Sequence, residues 1–274
     1  MFKGCAAAFA MGLLSLSVGA AHPDDPAATG VARVVRRFPA PEASQAVAVD
    51  GSFFYAIGNA AIGKYEKAAG RPAGRWEGAA NGRVVHLNSG VVLGRELYCA
   101  HSNYPRTPME SSIEVFDTER MTHLRSTPLP AGHGSATWVD YAEGSWWVTF
   151  AHYSGNGGEE GKGSEATRLV RFDRDWRVMK AWSFPKTVVA RWGTMSSSGG
   201  TLAERGLFYT TGHDARELYV LKVPRFRRTL ALQHVVRMDS EGQGIAMDRS
   251  EHLLYSIQRR TKEVLVSVLP GTGR

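Results

Sequence analysis

Three histidines stand at the ends of three similar apolar segments. These segments are Leu97–His101 (LYCAH), Trp147–His152 (WVTFAH) and Phe208–His213 (FYTTGH). Each segment has the β-branched and aromatic content of a short strand that stops at a small residue. Two weaker copies, Phe54–Asn59 (FYAIGN) and Leu254–Gln258 (LYSIQ), end in amides instead. Such repetition is typical of arrays and propellers, in which equivalent positions are arranged around one axis.

Imidazoles at three equivalent positions around an axis predict a metal site. His101, His152 and His213 would hold one divalent transition metal, Zn²⁺ or Fe²⁺, and leave a coordination position open for water or substrate. Two other roles remain open, and neither needs a cofactor. The histidines could transfer protons to a bound acid or lactone, or each could stabilise a loop by bonding to a backbone carbonyl.

The repeated segment belongs to a longer unit of four short strands, which recurs about every 45 residues. Five units can be traced between Ala46 and Leu269, and the fifth lacks its last strand because the chain ends. An unassigned strand near the N-terminus, Val31–Phe38, can complete it and so close the ring. The predicted fold is an all-β, five-bladed β-propeller whose last blade is closed by an N-terminal strand. A β-sandwich is the alternative, since it also gives evenly spaced strands.

An antiparallel blade places its connections on two opposite faces. We call the face with the turns between first and second strands the turn face, and the face with the longer connections the loop face. Asp50, Asp140 and Asp248 lie at or near turn-face turns, where we expect them to serve turn geometry. The long segments Asn103–Ser111 and Ser154–Ser164 each follow a strand-end histidine, so they are expected to form a lid over the mouth of the central tunnel.

The loop face carries the remaining candidate site residues. His86, His133 and Glu241 precede first strands of their blades and are the candidate catalytic acids or bases. Polar or aromatic side chains in the same region are the candidate substrate-binding residues, namely Asn88, Asn103, Trp138, Asp214, Gln243 and Gln258.

Composition and charge limit the kinds of molecule that the protein is expected to bind. The net charge of +7 is spread over scattered arginines with no accompanying aromatic-basic motif, so no nucleic-acid partner is expected. An anionic small-molecule substrate suits this charge. Lys3 and the apolar run up to Val18 predict a signal peptide over residues 1–21, too short for a stable membrane anchor. A linker over residues 22–30 and one propeller domain over residues 31–274 follow, and the predicted location is periplasmic or secreted.

Three segments resemble a family of secreted bacterial β-propeller proteins commonly labelled cycloisomerases. They are His86–Asn103 (HLNSGVVLGRELYCAHSN), Ser197–Leu221 (SSGGTLAERGLFYTTGHDARELYVL) and Glu241–Asp248 (EGQGIAMD). The resemblance covers nearly the whole chain after the signal peptide. It implies kinship with muconate-lactonising propellers, which close a lactone by proton transfer onto an unsaturated dicarboxylic acid. No catalytic residue of that class matches by motif, and the motifs of plant-type glutaminyl cyclases, which are also five-bladed propellers, are not found.

Two functions of different classes therefore follow from the sequence. The first is a small-molecule enzyme, cycloisomerase- or lyase-like and with or without a metal, that acts through the loop-face histidines. The second is a non-catalytic propeller that uses the same face to bind a ligand or a protein. An enzyme should show histidines converging on a pocket, whereas a binding propeller should show dispersed histidines and exposed aromatic side chains.

Overall fold

The structure of the protein is a computed structural model that describes residues 29–203 and 206–271. The predicted signal peptide and most of the predicted linker lie outside these residues. The described part opens with two strands, β1 (Gly30–Val31) and β2 (Arg33–Pro39), whose partners come from the C-terminal half of the chain. It contains no helix with the length and apolar character needed to cross a membrane.

Five antiparallel sheets follow from Ala46 onward and form the five blades. Blade one consists of β3 (Ala46–Val49), β4 (Phe53–Ile57), β5 (Ala61–Glu66) and β6 (Pro72–Glu77). Blade two consists of β7 (Leu87–Leu93), β8 (Glu96–Ser102), β9 (Ser111–Asp117) and β10 (Thr122–Pro128). Blade three consists of β11 (Ser135–Ala142), β12 (Ser145–Ala151), β13 (Arg168–Phe172) and β14 (Val178–Ser183).

The last two blades use the N-terminal strands. Blade four consists of β15 (Gly199–Leu202), β16 (Leu207–Thr211), β17 (Glu217–Lys222) and β18 (Ala231–Arg237). Blade five consists of β19 (Ala246–Asp248), β20 (Leu253–Gln258) and β21 (Glu263–Val268), completed by β2. The predicted five-bladed propeller, with its last blade closed by an N-terminal strand, is confirmed.

The N-terminal segment closes the ring through two strands, β1 and β2, whereas the sequence predicted only one. Strand β2 pairs antiparallel with β21, from Arg33 opposite Val268 to Pro39 opposite Glu263. Just before it, β1 pairs in parallel with β18 and adds a fifth strand to blade four. Buried Ala32 lies between the two and donates its N–H to the Arg237 carbonyl at 2.8 Å. The N-terminal segment therefore joins blades four and five.

The core lies between blades, because both faces of each inner strand are covered by its neighbours. Every residue of β12 is buried, and it is the most apolar of the strands that carry the repeated segment. A helix that the strand pattern did not predict, α1 (Lys186–Trp192), lies in the connection from blade three to blade four. Its Val188 and Trp192 side chains are buried in the cluster between these blades.

The inner strands β3, β7, β11, β15 and β19 surround a narrow tunnel. The Ser89 hydroxyl donates to the Ile245 carbonyl at 3.3 Å, which joins blade two to blade five although blade one lies between them. Buried Asn88 donates through Nδ2 to the Ala136 carbonyl of the neighbouring inner strand at 3.1 Å. These bonds join the inner strands of blades two, three and five near their loop-face ends.

Close packing around the tunnel gives a stability prediction. A Cβ atom added at Gly244 would lie 2.2 Å from the Ala46 Cβ, whereas a Cβ at Gly51 meets nothing within 4 Å. We expect Gly244→Ala to lower the free energy of unfolding by about 1–3 kcal/mol, the usual effect of overpacking. Thermal melting checks this, with Gly51→Ala as the matched control. Equal melting temperatures for the two variants would contradict the close approach of blades five and one.

Candidate functional site

His101 closes β8 on the loop face, and both of its ring nitrogens are engaged. Nε2 accepts the backbone N–H of Val85 at 3.1 Å, so the ring proton lies on Nδ1. Nδ1 in turn lies 2.9 Å from the Ser112 hydroxyl. Burial lowers the pKa of His101, against the opposing effect of the Glu114 charge. This histidine is tied into its own blade.

His152 follows β12 and is held by the glycine-rich loop behind it. Its Nδ1 lies 3.4 Å from a carboxylate oxygen of Glu159, and its backbone N–H donates to the Thr167 hydroxyl at 3.1 Å. Burial and the nearby Lys162 charge lower the pKa of His152, and this outweighs the effect of Glu159. The imidazole is therefore buried beside an ion pair of its own loop.

His213 lies at the corresponding position of blade four. Nδ1 is 2.7 Å from Asp214 Oδ1, and Nε2 is 3.3 Å from Arg259 Nη1. Because the guanidinium can only donate, Nε2 is the acceptor, and Nδ1 carries the proton that it donates to Asp214. Arg259 also donates to Asp214 at 3.2 Å, which completes a three-membered cluster.

The three strand-end histidines do not form the predicted shared metal centre. Across residues 29–203 and 206–271, no three His, Cys, Asp or Glu side chains are arranged to hold a metal ion. His101 and His213 have no ring nitrogen free for a metal, because each nitrogen already has a partner. The physical reason is their position, because these residues lie at the end of the second strand of a blade, away from the axis. Each bonds to neighbouring groups instead, and His213 bonds to Arg259 of blade five. The residues present do not fit the predicted Zn²⁺ or Fe²⁺.

His86 lies nearer the mouth of the tunnel, in the connection that leads into β7. Its ring packs at 5.1 Å from the ring of Tyr104. Burial is the main cause that lowers the pKa of His86 to about 4, and the nearby His101 and His213 contribute to the same shift. His86 is therefore unprotonated at neutral pH, as a general base must be.

The two loops predicted to form a lid meet beside His86. The Met109 N–H of the first loop donates to Glu159 of the second at 3.1 Å. Gly157 lies so close to Tyr104 that an added Cβ would be 2.5 Å from its ring. Tyr104 also packs against buried Tyr153, with their ring centroids 4.9 Å apart. The loops form one packed cover at the side of the mouth.

A charged cleft of about 510 Å³ lies on the loop face between blades four and five. It contains the predicted residues Asp214 and Glu241 together with Arg216, Arg259 and Arg260. Glu241 pairs with Arg260 at 2.8 Å and with Arg216 at 3.9 Å. Three arginines against two carboxylates leave the cleft with an excess positive charge, which suits an anionic ligand.

Two predicted glutamines support this cleft from beneath. Gln243 is buried, adopts the left-handed backbone conformation with φ of 73°, and donates through Nε2 to the His213 carbonyl at 3.3 Å. Gln258 is buried as well and donates to the Asp239 carbonyl at 3.3 Å, and its Oε1 has no partner. Both side chains bond to backbone carbonyl groups, and neither lines the cleft.

The other predicted residues lie apart from it. His133 packs against Phe150 with ring centroids 5.1 Å apart, and burial and Lys162 lower its pKa. Asn103 holds its own loop by accepting the Glu110 N–H at 3.0 Å. Trp138, expected to contact substrate, is instead fully buried against Gly200 in the core between blades three and four. A side chain so placed packs the core and does not reach a ligand.

Sequence reasoning did not find a polar cluster on the face of blade two that carries His101. Its members are Ser112, Glu114, His123 and Ser126, from the two outer strands. Ser112, Glu114 and Ser126 border a cavity of about 670 Å³, together with His101 and Asn103. The available signal was the alternation Ser112-Ile113-Glu114-Val115, which places polar residues on a strand face that a propeller buries.

The turn face carries a further depression, a funnel of about 260 Å³ at the tunnel end that includes Asp50, Asp140 and Asp248. Asp50 and Asp248 accept backbone N–H groups of their own turns, which confirms the predicted turn role. Asp140 differs, because it bonds across to blade four through the Leu202 N–H and to Arg249, both at 2.8 Å. All three carboxylates have partners within the protein.

Comparison with known proteins supports the fold. No protein-family model and no curated protein matches this chain. Among solved structures, the chain is similar to the glutaminyl cyclase of Myxococcus xanthus, with a TM-score of 0.58 and 11% identity over 86% of this chain and 95% of that one. A lower TM-score of 0.48 relates it to U3-55K, at 12% identity over 89% of this chain and all of that one. At such identities the likeness to the cyclase shows the propeller fold alone.

Proposed function

We propose that the protein is a small-molecule enzyme that transfers a proton to or from an anionic substrate at the loop face. The observation that carries the proposal is His86, a half-buried imidazole whose lowered pKa keeps it unprotonated beside the mouth of the tunnel. Buried neutral imidazoles at a concave surface are frequent general bases. The packed cover formed by the two long loops supports the proposal, because it shields His86 from water.

The substrate class follows from the charges near His86. His213 is close enough to His86 to affect its pKa, and the His213 ring contacts Arg259. The adjoining cleft adds Arg216 and Arg260, so a carboxylate there would meet positive charge. Together with the resemblance to lactonising propellers, this supports an unsaturated dicarboxylate or its lactone. The predicted signal peptide leads us to propose the periplasm or the outside of the cell as the location of the reaction.

In this mechanism His86 accepts the proton through a ring nitrogen and later returns it. Arg259 neutralises a substrate carboxylate, while Asp214 and the His213 ring hold the guanidinium in place at 3.2 and 3.3 Å. Glu241 orients Arg260 at the other side of the cleft, at 2.8 Å.

Proton exchange tests the proposal directly. The protein would be incubated in D₂O with a panel of five- and six-carbon unsaturated dicarboxylates and lactones, and deuterium incorporation followed by NMR. We expect exchange with at least one compound, and a loss of about 10²–10⁴-fold in His86→Gln, the usual contribution of a general base. His234→Gln, on outer strand β18, is the matched control and should exchange at the wild-type rate.

Two results would contradict the proposal. Exchange that persists in His86→Gln would remove His86 from the reaction. A panel member that raises the melting temperature of the protein but never exchanges would favour the non-catalytic binding propeller. The dispersed strand-end histidines agree with that alternative, whereas the burial of Trp138 and Tyr153 opposes it.

A further inference from the structure

The cavity of blade two is lined by residues other than His86, and it carries chemistry of its own. It encloses about 670 Å³ between the outer strands of blade two, the segment that precedes β7 and the loop after β8. That volume lies within the range of small-molecule sites. The Ser112 hydroxyl and the Glu114 carboxylate are both part of its wall.

A continuous chain of hydrogen bonds runs along this wall. Val85 donates its N–H to His101 Nε2 at 3.1 Å, so His101 donates through Nδ1 to the Ser112 hydroxyl at 2.9 Å. Ser112 in turn donates to Glu114 Oε1 at 2.5 Å. The direction of each bond is fixed by the backbone donor at its start. The hydroxyl proton of Ser112 therefore points at a carboxylate.

Glu114 is placed to receive that proton. The Glu114 side chain is buried, since the residue is only 3% exposed. Among the described residues it forms ion pairs with His123 Nε2 at 2.7 Å and His101 Nδ1 at 3.7 Å, and with no Lys or Arg. The Ser126 hydroxyl donates to the same Oε1 at 2.7 Å. Two hydroxyls and an imidazole hold the carboxylate still, which is the arrangement of a positioned general base.

We propose that Ser112 is the nucleophile of a second active site, which hydrolyses small carboxylic esters with Glu114 as its base. Arg83 and Arg106 at the exposed rim favour an ester that carries a carboxylate, although Glu110 at the same rim offsets part of their charge. His101 positions the Ser112 oxygen through its Nδ1–H. This activity does not use His86 and goes beyond the proton transfer proposed above.

The reaction balances without a cofactor. Ser112 Oγ forms a bond to the ester carbonyl carbon as its proton passes to Glu114. The ester C–O bond then breaks, and the alcohol leaves with that proton. Water attacks the acyl-serine, gives one proton to Glu114 and releases the acid, after which Glu114 returns the proton to Ser112. The products are one acid and one alcohol.

Covalent labelling tests this assignment. The purified full chain would be treated with a fluorophosphonate, which reacts with activated serine hydroxyls, and the modified peptide identified by mass spectrometry. We expect one label per chain, on Ser112, and none in Ser112→Ala. Glu114→Gln keeps the hydroxyl but loses the base, and it should label at least 100-fold more slowly. Ser183→Ala, in the outer strand of blade three, should label like the wild type.

Circular dichroism and melting temperature establish that each variant is folded before labelling. A folded wild-type chain that takes up no label would overturn the proposal, and so would a label on Ser111 or Ser126 instead of Ser112. Labelling of Glu114→Gln at the wild-type rate would remove Glu114 as the base. Since the probe reads serine reactivity alone, this proposal and the one on His86 can fail independently.

Discussion

Lys67→Met is expected to lower the free energy of unfolding by about 3–5 kcal/mol, the usual effect of removing one partner of a buried ion pair. Lys67 and Asp248 form a salt bridge between blades one and five, and the two side chains are 6% and 4% exposed. Burial acts to raise the pKa of Asp248, but hydrogen bonds from Lys67 and Ser250 outweigh it and lower the pKa. Without Lys67, the buried Asp248 carboxylate loses its one ion-pair partner among the described residues.

Urea denaturation at neutral pH measures this change. Arg177→Met is the matched control, because it breaks the exposed pair of Arg177 with Asp175, whose side chains are 78% and 72% exposed. That control should cost no more than about 1 kcal/mol. The double variant Lys67→Met, Asp248→Leu should recover part of the loss, since it leaves no unpaired charge at this position. An equal decrease in the free energy of unfolding of Lys67→Met and Arg177→Met would show that the buried pair stabilises the protein no more than the exposed pair.

Acidification from pH 7.5 to pH 5 is expected to destabilise the wild-type protein more than its His86→Gln variant. The pKa of His86 is about 4 in the folded protein and 6.5 in an unperturbed chain. Between these values the unfolded chain binds a proton that the folded protein does not bind. The contribution of neutral His86 to stability is therefore complete above pH 6.5 and is lost as the pH falls towards 4. For this group alone, the loss at pH 5 amounts to about 2 kcal/mol.

Urea titrations at the two pH values check the result. His101, His133 and His152 also have lowered pKa values, but they are present in both proteins, so their contributions cancel in the comparison. An identical pH dependence for wild type and His86→Gln would mean that His86 is protonated normally, and the proton-transfer proposal would lose its base.

Local patterns in the sequence were sufficient for the architecture. Four-strand units with turn residues between them predicted five blades between Ala46 and Leu269, and the structure has five blades. Counting strands also predicted that a segment near residue 31 closes the ring, as β2 does. These features depend on alternation and turn chemistry, which act over a few residues. Helix α1 was missed because its valine-rich, seven-residue sequence lacks a helical period long enough to detect.

The loop-face position of the strand-end histidines also followed from the sequence, but their partners did not. Whether His101, His152 and His213 converge depends on their distance from the axis and on bonds to residues up to 46 positions away, such as that of His213 with Arg259. The same holds for Ser112, whose contact with His101 forms only when β8 and β9 pair. The sequence by itself determined the propeller and its closure by an N-terminal strand. Tertiary structure alone decided which side chains form hydrogen bonds with each other. Such bonds require distances of about 3 Å, which no repeat pattern in the sequence specifies.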